Sequence, residues 1–275
     1  MEIWKAIILG IIEGVTEFLP VSSTGHLTIA EELLGLQVDD PAVTAYTAVI
    51  QVGAIAAVCV FLWRDIARLG GAWIGGLFSP SRRHELDYRI GWYIIIGSLP
   101  IGVVGFLARE YIKGPLRSLW VVAGSLILWS GAMVYAERVA RQNRSEKDLT
   151  LRDGLVIGIA QCLALIPGVS RSGATITFGL LRDIDRVTAT RLSFFLSIPA
   201  LTAAGIFELK DALSDSIGIA PLVVGTLVSF VVAYASVAWL LRFVAHHTLM
   251  AFVWYRVALG AALILALSAG WVSAT

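Results

Sequence analysis

Long apolar segments separated by short polar stretches make up most of this chain. Residues 64–89 and 138–153 are rich in arginine and are predicted to be loops. An α-helix that crosses the hydrocarbon core of a bilayer needs about 20 mostly apolar residues, because each residue adds ~1.5 Å to a span of ~30 Å. Six segments approach that length, and each is predicted to be a membrane-spanning helix: 42–63, 90–108, 118–137, 189–208, 222–243 and 251–270.

Two further apolar segments near the N-terminus are too short to cross. As a helix, residues 6–19 would reach only about 21 Å, and residues 24–36 form a shorter segment still. Pro20 lies between them and stops the first helix, because proline has no N–H to donate. Two short helices joined by a polar turn predict a re-entrant hairpin, which enters the membrane and returns to the same side.

The second part of the chain repeats the order of features of the first. Residues 158–174 align without a gap on residues 10–26, so that Val169-Ser-Arg-Ser-Gly173 falls on Val21-Ser-Ser-Thr-Gly25. Each half then consists of one re-entrant helical hairpin and three transmembrane helices. Because three crossings are an odd number, the second half would enter the membrane upside down. The prediction is one all-α membrane domain, residues 1–275, with two inverted repeats at about 1–140 and 150–275.

Composition supports an integral membrane protein. Hydrophobic residues make up 57% of the 275 residues and charged residues only 15%, with a mean hydropathy of +0.81. A soluble domain of this size would carry more charge. The formal net charge of +1 gives no indication of nucleic-acid binding. Cys59 and Cys162 lie in apolar runs and are expected to be buried thiols rather than a disulfide.

The basic residues predict the orientation in the membrane. In the predicted topology, fourteen of the 21 Lys and Arg residues lie on the face opposite the N-terminus. The positive-inside rule makes that face cytoplasmic, so both termini and the mouth of the first hairpin are expected to face outward. The basic residues on the N-terminal face are Lys5, Arg109, Lys113, Arg117 and Lys210.

The candidate chemistry is concentrated in residues 13–26. Glu13 and Glu17 project from the same helix face one turn apart, so one of them is protonated or a cation lies between them. The hydroxyl-rich turn that follows leads into a second helix, whose free N–H groups form a typical site for phosphate. Its members are Ser22, Ser23 and Thr24, and His26 follows in the first turn of the second helix.

The turn of the second hairpin contributes a cation. Arg171 lies between Ser170 and Ser172, and its planar guanidinium suits either a phosphate or a structural ion pair with Glu13 or Glu17. Gln161 replaces Glu13 at the repeat position, so the second hairpin lacks the carboxylate pair.

Three further charged residues lie in apolar segments or at helix ends outside these turns. Arg256, in the last span, is interpreted either as a site residue or as the counter-charge of a buried carboxylate. Glu31 and Glu32 are expected to be a solvated helix end.

The residues Glu13-Gly-Val-Thr-Glu17-Phe-Leu-Pro-Val-Ser-Ser-Thr-Gly-His26 and Pro167-Gly-Val-Ser-Arg171-Ser-Gly resemble those of the BacA-type undecaprenyl-diphosphate phosphatases. The similarity extends along the chain to Gln51 and to Tyr255-Arg256. It implies a bacterial inner-membrane enzyme, associated with bacitracin resistance, that converts undecaprenyl diphosphate to the undecaprenyl phosphate carrier of peptidoglycan precursors. A homodimer is also considered.

The chemistry of these residues, together with the resemblance, predicts a site with three functions. Glu13 and Glu17 would hold a divalent cation, Mg²⁺ or Ca²⁺. Ser23, His26, Glu17 and Arg171 would be catalytic, with Ser23, His26 or water as the nucleophile. The hydroxyls expected to bind the substrate phosphate, together with Arg171, are those of Ser22, Thr24, Ser170 and Ser172.

Two other functions remain open on the sequence. Inverted repeats with paired hairpins are typical of transporters, so a flippase for undecaprenyl phosphate could use the same phosphate site. An ion channel lined by Glu13 and Glu17 would leave the hydroxyl-rich turn and Arg171 without a role.

Overall fold

The computed structural model describes residues 1–38, 40–108, 111–112, 116, 118–214 and 218–274, and the side chains of all of these except 207–214. Of the basic residues assigned to the N-terminal face, Arg109, Lys113, Arg117 and the side chain of Lys210 therefore lie outside the described part. The described residues are almost entirely helical and contain no β-strand. Their α-helices are α1 (Ile3–Thr16), α2 (Ser23–Leu33), α3 (Pro41–Phe61), α4 (Trp63–Phe78), α5 (Leu86–Leu107), α6 (Leu119–Val139), α7 (Leu151–Ala160), α8 (Arg171–Leu181), α9 (Arg186–Ser214), α10 (Ile219–His246) and α11 (Met250–Ser268).

Six described helices are long and apolar enough to cross a membrane, namely α3, α5, α6, α9, α10 and α11. Each overlaps one of the six predicted spans, so the prediction of an all-α, multi-pass membrane protein is confirmed. The prediction of a loop at 64–89 is wrong, because α4 covers most of it. Buried Leu69, Ala72 and Gly76 lie three and four residues apart, which gives α4 an apolar face despite the arginines around it.

Two helical hairpins are present where the repeat pattern predicts them. α1 and α2 are joined by a tight turn at residues 17–22, and α1 ends at Thr16, four residues before Pro20. α7 continues into a short 3₁₀ helix, Gln161–Leu165, before a turn leads into α8. All four α-helices of these hairpins have between 10 and 14 residues, too few to cross a bilayer.

Glycines let each hairpin pack closely against a span from the other half of the chain. A Cβ on Gly10 of α1 would lie 2.6 Å from the carbonyl oxygen of Gly225 in α10. A Cβ on Gly158 of α7 would lie 2.2 Å from the carbonyl oxygen of Gly97 in α5. Gly10 and Gly158 are equivalent positions in the repeat alignment. Such reciprocal packing is expected of two halves related by a two-fold axis, while the inverted orientation stays a prediction.

The loop between the two halves is fastened to the start of the second hairpin. Asp153, in the first turn of α7, is buried and accepts hydrogen bonds from Arg144 at 2.6 Å and 3.0 Å and from Arg182 at 2.8 Å. The hydrogen bonds to Asp153 raise the pKa of the Arg144 guanidinium. Together these contacts attach the start of α7 to the preceding loop and to the end of α8.

Candidate functional site

The turns of the two hairpins are in direct contact. The N–H of Gly168 donates to Ser22 Oγ at 3.1 Å. The Ser172 hydroxyl donates to the carbonyl oxygen of Leu19 at 2.8 Å, and the Ser170 hydroxyl donates to the same oxygen at 3.4 Å. These buried hydrogen bonds join segments about 150 residues apart in sequence, so one site contains residues from both hairpins.

Matching serines begin the second helix of each hairpin. Ser22 Oγ accepts from the N–H of Gly25, and Ser170 Oγ accepts from the N–H of Gly173. Both serines have a left-handed backbone, with φ of 77° and 76°, which is unusual for a residue other than glycine. Such strain persists only where surrounding contacts fix it. The repeat alignment is therefore visible in the backbone of the two turns.

Glu17 connects the two hairpins chemically. Its Oε1 pairs with Arg171 Nη2 at 2.7 Å, and its Oε2 accepts a hydrogen bond from Ser23 Oγ at 2.5 Å. The Glu17 and Arg171 side chains are only 4% and 9% exposed. The Nε and Nη1 atoms of Arg171 are buried and have no hydrogen-bond partner among the described residues. Arg171 therefore pairs with Glu17 and retains two buried donor nitrogens without a partner among the described residues.

Glu13 is the second carboxylate of the first hairpin. It is fully buried, and neither of its oxygens accepts a hydrogen bond from a described residue. A buried carboxylate without donors is costly, so Glu13 binds a proton or a cation. Its counterpart Gln161 is also fully buried, but its amide donates to the carbonyl oxygen of Gly97 at 3.2 Å. Only the first hairpin thus presents an uncompensated carboxylate.

A cavity of about 280 Å³ opens beside Glu13. Its volume is near the lower end for small-molecule sites, ~300 Å³. Ser23 and Thr24 from the first turn and Pro167 from the second also line it. The remaining lining residues are Leu27, Thr28, Glu31, Thr44, Thr47, Ala48, Gln51, Ile112, Ala164 and Leu165.

Most of the polar residues around this cavity were not predicted from the sequence. Glu31 is completely buried in the wall of the cavity, so the prediction of a solvated helix end is wrong for it, whereas Glu32 is partly exposed. Helical spacing could have indicated the wall, because Thr24, Thr28 and Glu31 recur four and three residues apart on one face of α2. The same test applies to α3, where Thr44, Thr47 and Gln51 share a face.

The predicted phosphate-binding hydroxyls fall into two groups. Ser22, Ser170 and Ser172 are buried and use their hydroxyls to hold the turns together. Thr24 is exposed to the cavity, and Ser23 lies between the cavity and Glu17. The exposed position of Thr24 and the intermediate position of Ser23 leave these two hydroxyls accessible to a ligand.

His26 contacts a residue from the last span rather than Ser23. Its Nδ1 donates to the carbonyl oxygen of Ser22 at 2.7 Å, which leaves Nε2 of the neutral ring to accept from Tyr255 Oη at 2.6 Å. The two rings are nearly parallel, with centroids 5.6 Å apart. The structure therefore holds His26 in one tautomer and orientation.

Arg256 contacts the turns but not a carboxylate. It is fully buried, and its guanidinium donates to Pro20 O, Gly168 O and Ser130 Oγ at 2.8–3.2 Å. The interpretation that it balances a buried carboxylate is therefore wrong for the described residues, because no carboxylate among them forms an ion pair with it. Backbone carbonyl oxygens of the two turns, rather than a carboxylate, accept hydrogen bonds from its guanidinium.

These features define a class: a multi-pass membrane protein with a buried, ion-paired site where two helical hairpins meet. The family model for the bacitracin resistance protein BacA matches residues 6–262, and the chain belongs to this family. A relative from Acidothermus cellulolyticus named undecaprenyl-diphosphatase is 59% identical over 98% of both chains. One from Streptomyces coelicolor, undecaprenyl-diphosphatase 1, is 59% identical over 94% of both chains, and one from a Mycobacterium species, undecaprenyl-diphosphatase, is 48% identical over 98% of both.

The double use of Ser22 Oγ predicts a stability effect. We expect Ser22→Ala to lower the free energy of unfolding by about 1–3 kcal/mol, because the buried N–H groups of Gly25 and Gly168 lose their acceptor. Thermal unfolding in detergent measures the effect. Thr24→Ala, two residues away on the exposed side, is the control and should unfold near the wild-type temperature. Equal stability of the two variants would contradict the role given to Ser22.

Proposed function

We propose that this chain hydrolyses undecaprenyl diphosphate to undecaprenyl phosphate and inorganic phosphate, which returns the lipid carrier to peptidoglycan synthesis. Membership of the BacA family and the names of the relatives support this reaction. The observation that carries it is the position of Glu17, which binds Ser23 through one oxygen and Arg171 through the other. The arrangement joins a candidate nucleophile, its base and a phosphate-binding cation.

Ser23 is the proposed nucleophile. Its Oγ lies on the cavity wall and donates to Glu17, so Glu17 takes the proton as Oγ attacks the terminal phosphorus. A bond forms between Oγ and phosphorus while the bond from phosphorus to the bridging oxygen breaks, and undecaprenyl phosphate leaves. Glu17 passes its proton to the departing undecaprenyl phosphate and then deprotonates a water, whose oxygen bonds to phosphorus as the bond from phosphorus to Ser23 Oγ breaks. Glu17 returns this proton to Oγ, and inorganic phosphate leaves. The 2.5 Å contact favours Ser23 over His26, whose ring nitrogens contact Ser22 and Tyr255.

Charge stabilisation comes from both hairpins. The free Nε and Nη1 donors of Arg171 would bind oxygens of the terminal phosphate, whose charge develops in the transition state. The N-termini of α2 and α8 meet at the same place and favour an anion. Thr24 supplies a further hydroxyl at the cavity, and His26, oriented by Tyr255, supplies a second proton-carrying group.

A divalent cation, Mg²⁺ or Ca²⁺, fits the residues around Glu13. No cluster of three or more acidic, His or Cys ligands exists in the described residues, but hard cations also bind hydroxyl and amide oxygens and water. The cavity provides the free carboxylate of Glu13 together with oxygens of Thr28, Thr47 and Gln51. Glu17, already engaged by Arg171 and Ser23, contributes its charge nearby. When bound, the cation would neutralise negative charge on the diphosphate.

The comparisons favour hydrolysis over the transport alternative, because the relatives described above are named as diphosphatases. Transport would need the phosphate site but gives no role to the hydrogen bond between Ser23 and Glu17.

The proposed location is the bacterial inner membrane, with the site and both termini outside, on the basis of the excess of basic residues on the opposite face. Membrane lipids surround the protein in this proposal, and the homodimer considered on the sequence stays a prediction.

Phosphate release by the purified protein in detergent tests the reaction, because transport cannot contribute there. We expect Arg171→Ala to lower the turnover number by about 100- to 1000-fold, since the donors to the phosphate are lost. Arg171→Lys keeps the charge without the planar fork, so its activity should fall between Ala and wild type. Arg64→Ala, at an exposed arginine of α4, is the control. Wild-type turnover and substrate affinity in a folded Arg171→Ala variant would leave Arg171 a purely structural role.

The proposed cation site has its own test. We expect Glu13→Gln, which keeps the shape but removes the charge, to raise the Mg²⁺ or Ca²⁺ concentration needed for half-maximal phosphate release by at least about tenfold, corresponding to ~1.4 kcal/mol of binding. Glu32→Gln, at the partly exposed end of α2, should leave the titration unchanged. An unaltered cation titration of Glu13→Gln would place the cation elsewhere.

Labelling tests the orientation. In a background in which Cys59 and Cys162 are replaced by serine, Thr24→Cys should react with a membrane-impermeant thiol reagent added to intact cells, because Thr24 is exposed in the cavity. Ser81→Cys, exposed between α4 and α5, should react only after the cells are permeabilised. The reverse labelling pattern would invert the proposed topology.

A further inference from the structure

Arg256 has an unusual environment for a charged side chain in a membrane span. It is fully buried in the second turn of α11, and no ion pair neutralises it among the described residues. Charged residues inside a membrane are costly, and they are usually paired with one another or with backbone carbonyls. Arg256 donates hydrogen bonds to backbone carbonyl oxygens, and the positions of these carbonyls in the two turns indicate its role.

The two terminal nitrogens of Arg256 bind one carbonyl from each hairpin turn. Nη1 donates to Pro20 O at 3.2 Å, and Nη2 donates to Gly168 O at 2.8 Å. Pro20 and Gly168 occupy equivalent positions in the ungapped alignment of residues 10–26 with 158–174. One planar guanidinium therefore bridges the same point of both turns, as a residue on the local two-fold axis between them would.

The rest of the guanidinium is anchored to the span beside the turns. Nε donates to Ser130 Oγ at 3.2 Å, and Nη2 also approaches Ser125 O at 3.5 Å, both on α6. Gly168 is held from its other side as well, because its N–H donates to Ser22 Oγ. A Cβ at Gly168 would lie 2.6 Å from the carbonyl oxygen of Val122, also on α6. The turn of the second hairpin thus has little freedom to shift while Arg256 is in place.

We propose that Arg256 is a positioning residue of the phosphatase site, which fixes the two hairpin turns relative to each other. This inference rests on the proposed function, because the geometry that it maintains is the contact of Ser23 and Arg171 with Glu17. Arg256 touches the turn backbones and no reacting atom in that mechanism. A lysine cannot replace its fork, since one ammonium group does not present two parallel N–H donors in a plane.

Enzyme kinetics with chemical rescue provide the first test. We expect Arg256→Ala to lower the turnover number by about 100-fold, the effect of a misplacement of ~1 Å in a catalytic group, with the KM changed less. Guanidinium at non-denaturing concentration should restore at least a tenth of the lost activity in a saturable way, because it fits the vacated space. Urea, similar in shape but uncharged, should not. Failure of guanidinium to rescue a folded Arg256→Ala variant would overturn the proposal.

A second arginine separates positioning from general stability. Arg186 forms a bidentate ion pair with Glu137, whose side chain is buried and which lies about two helical turns along α6 from Ser130. Arg186→Ala should lower the unfolding temperature yet keep the turnover number of the folded protein. If Arg256→Ala does not fold, Arg256→Lys serves in its place, with an expected loss of about tenfold in turnover number and little change in unfolding temperature. Full activity of Arg256→Lys would overturn the proposal, because lysine lacks the fork that bridges the two turns.

A distance measurement is independent of enzymatic activity. Spin labels on Thr24→Cys and Leu163→Cys, in the background lacking Cys59 and Cys162, report the separation of the two hairpins. The distance distribution should be narrow with Arg256 and broader or shifted in Arg256→Lys. An unchanged distribution would overturn the positioning role even if activity falls. If the wild-type protein is inactive but the distance distribution still broadens in Arg256→Lys, only the proposed function is refuted.

Discussion

The ion pair between Arg171 and Glu17 is the contact on which the candidate site depends. It joins the two hairpins at 2.7 Å with both side chains almost fully buried. Removing one partner of a buried pair leaves an uncompensated charge and typically costs ~3–5 kcal/mol, so neither Glu17 nor Arg171 can be lost singly without destabilising the contact between the hairpins. The surrounding serine hydrogen bonds then set the orientation of the turns, and Arg256 holds their backbones.

Helix-length segments could be predicted because their cause is local. A span must be apolar over about 20 residues, and that constraint can be recognised without tertiary structure. Helix α4 was wrongly predicted to be a loop for the opposite reason. Its apolar face is formed by a few residues three or four positions apart, Leu69, Ala72 and Gly76, among arginines that suggested a loop. Segment hydrophobicity could not reveal a helix that buries only one side.

The residues of the candidate site also divide into those that local sequence predicts and those that depend on tertiary packing. The spacing of Glu13 and Glu17 and the hydroxyls of the first turn could be recognised as a candidate site, because those residues lie close together in sequence. Which hydroxyls remain accessible could not be predicted, since Ser22 is taken by Gly168, a partner 146 residues away. The contact between His26 and Tyr255 and the burial of Glu31 depend on tertiary packing in the same way. Helical spacing carried part of the missing information, as the faces of α2 and α3 show.

The repeat explains why two similar hairpins would produce one site and not two. Ser23 and Arg171 are equivalent positions, and both contact Glu17, whose own counterpart is Leu165. Glu13 is likewise matched by a neutral residue, Gln161, whose amide donates to the backbone. The predicted two-fold relation would bring the two turns together, and substitutions at these three pairs of positions would then give the halves different roles. In the proposed site, one hairpin would supply the carboxylates and a hydroxyl, and the other would supply the cation that an anionic substrate requires. A second copy of Glu17 in place of Leu165 would add a negative charge beside Arg171 and weaken the attraction for phosphate, so the asymmetry itself favours the binding of an anion.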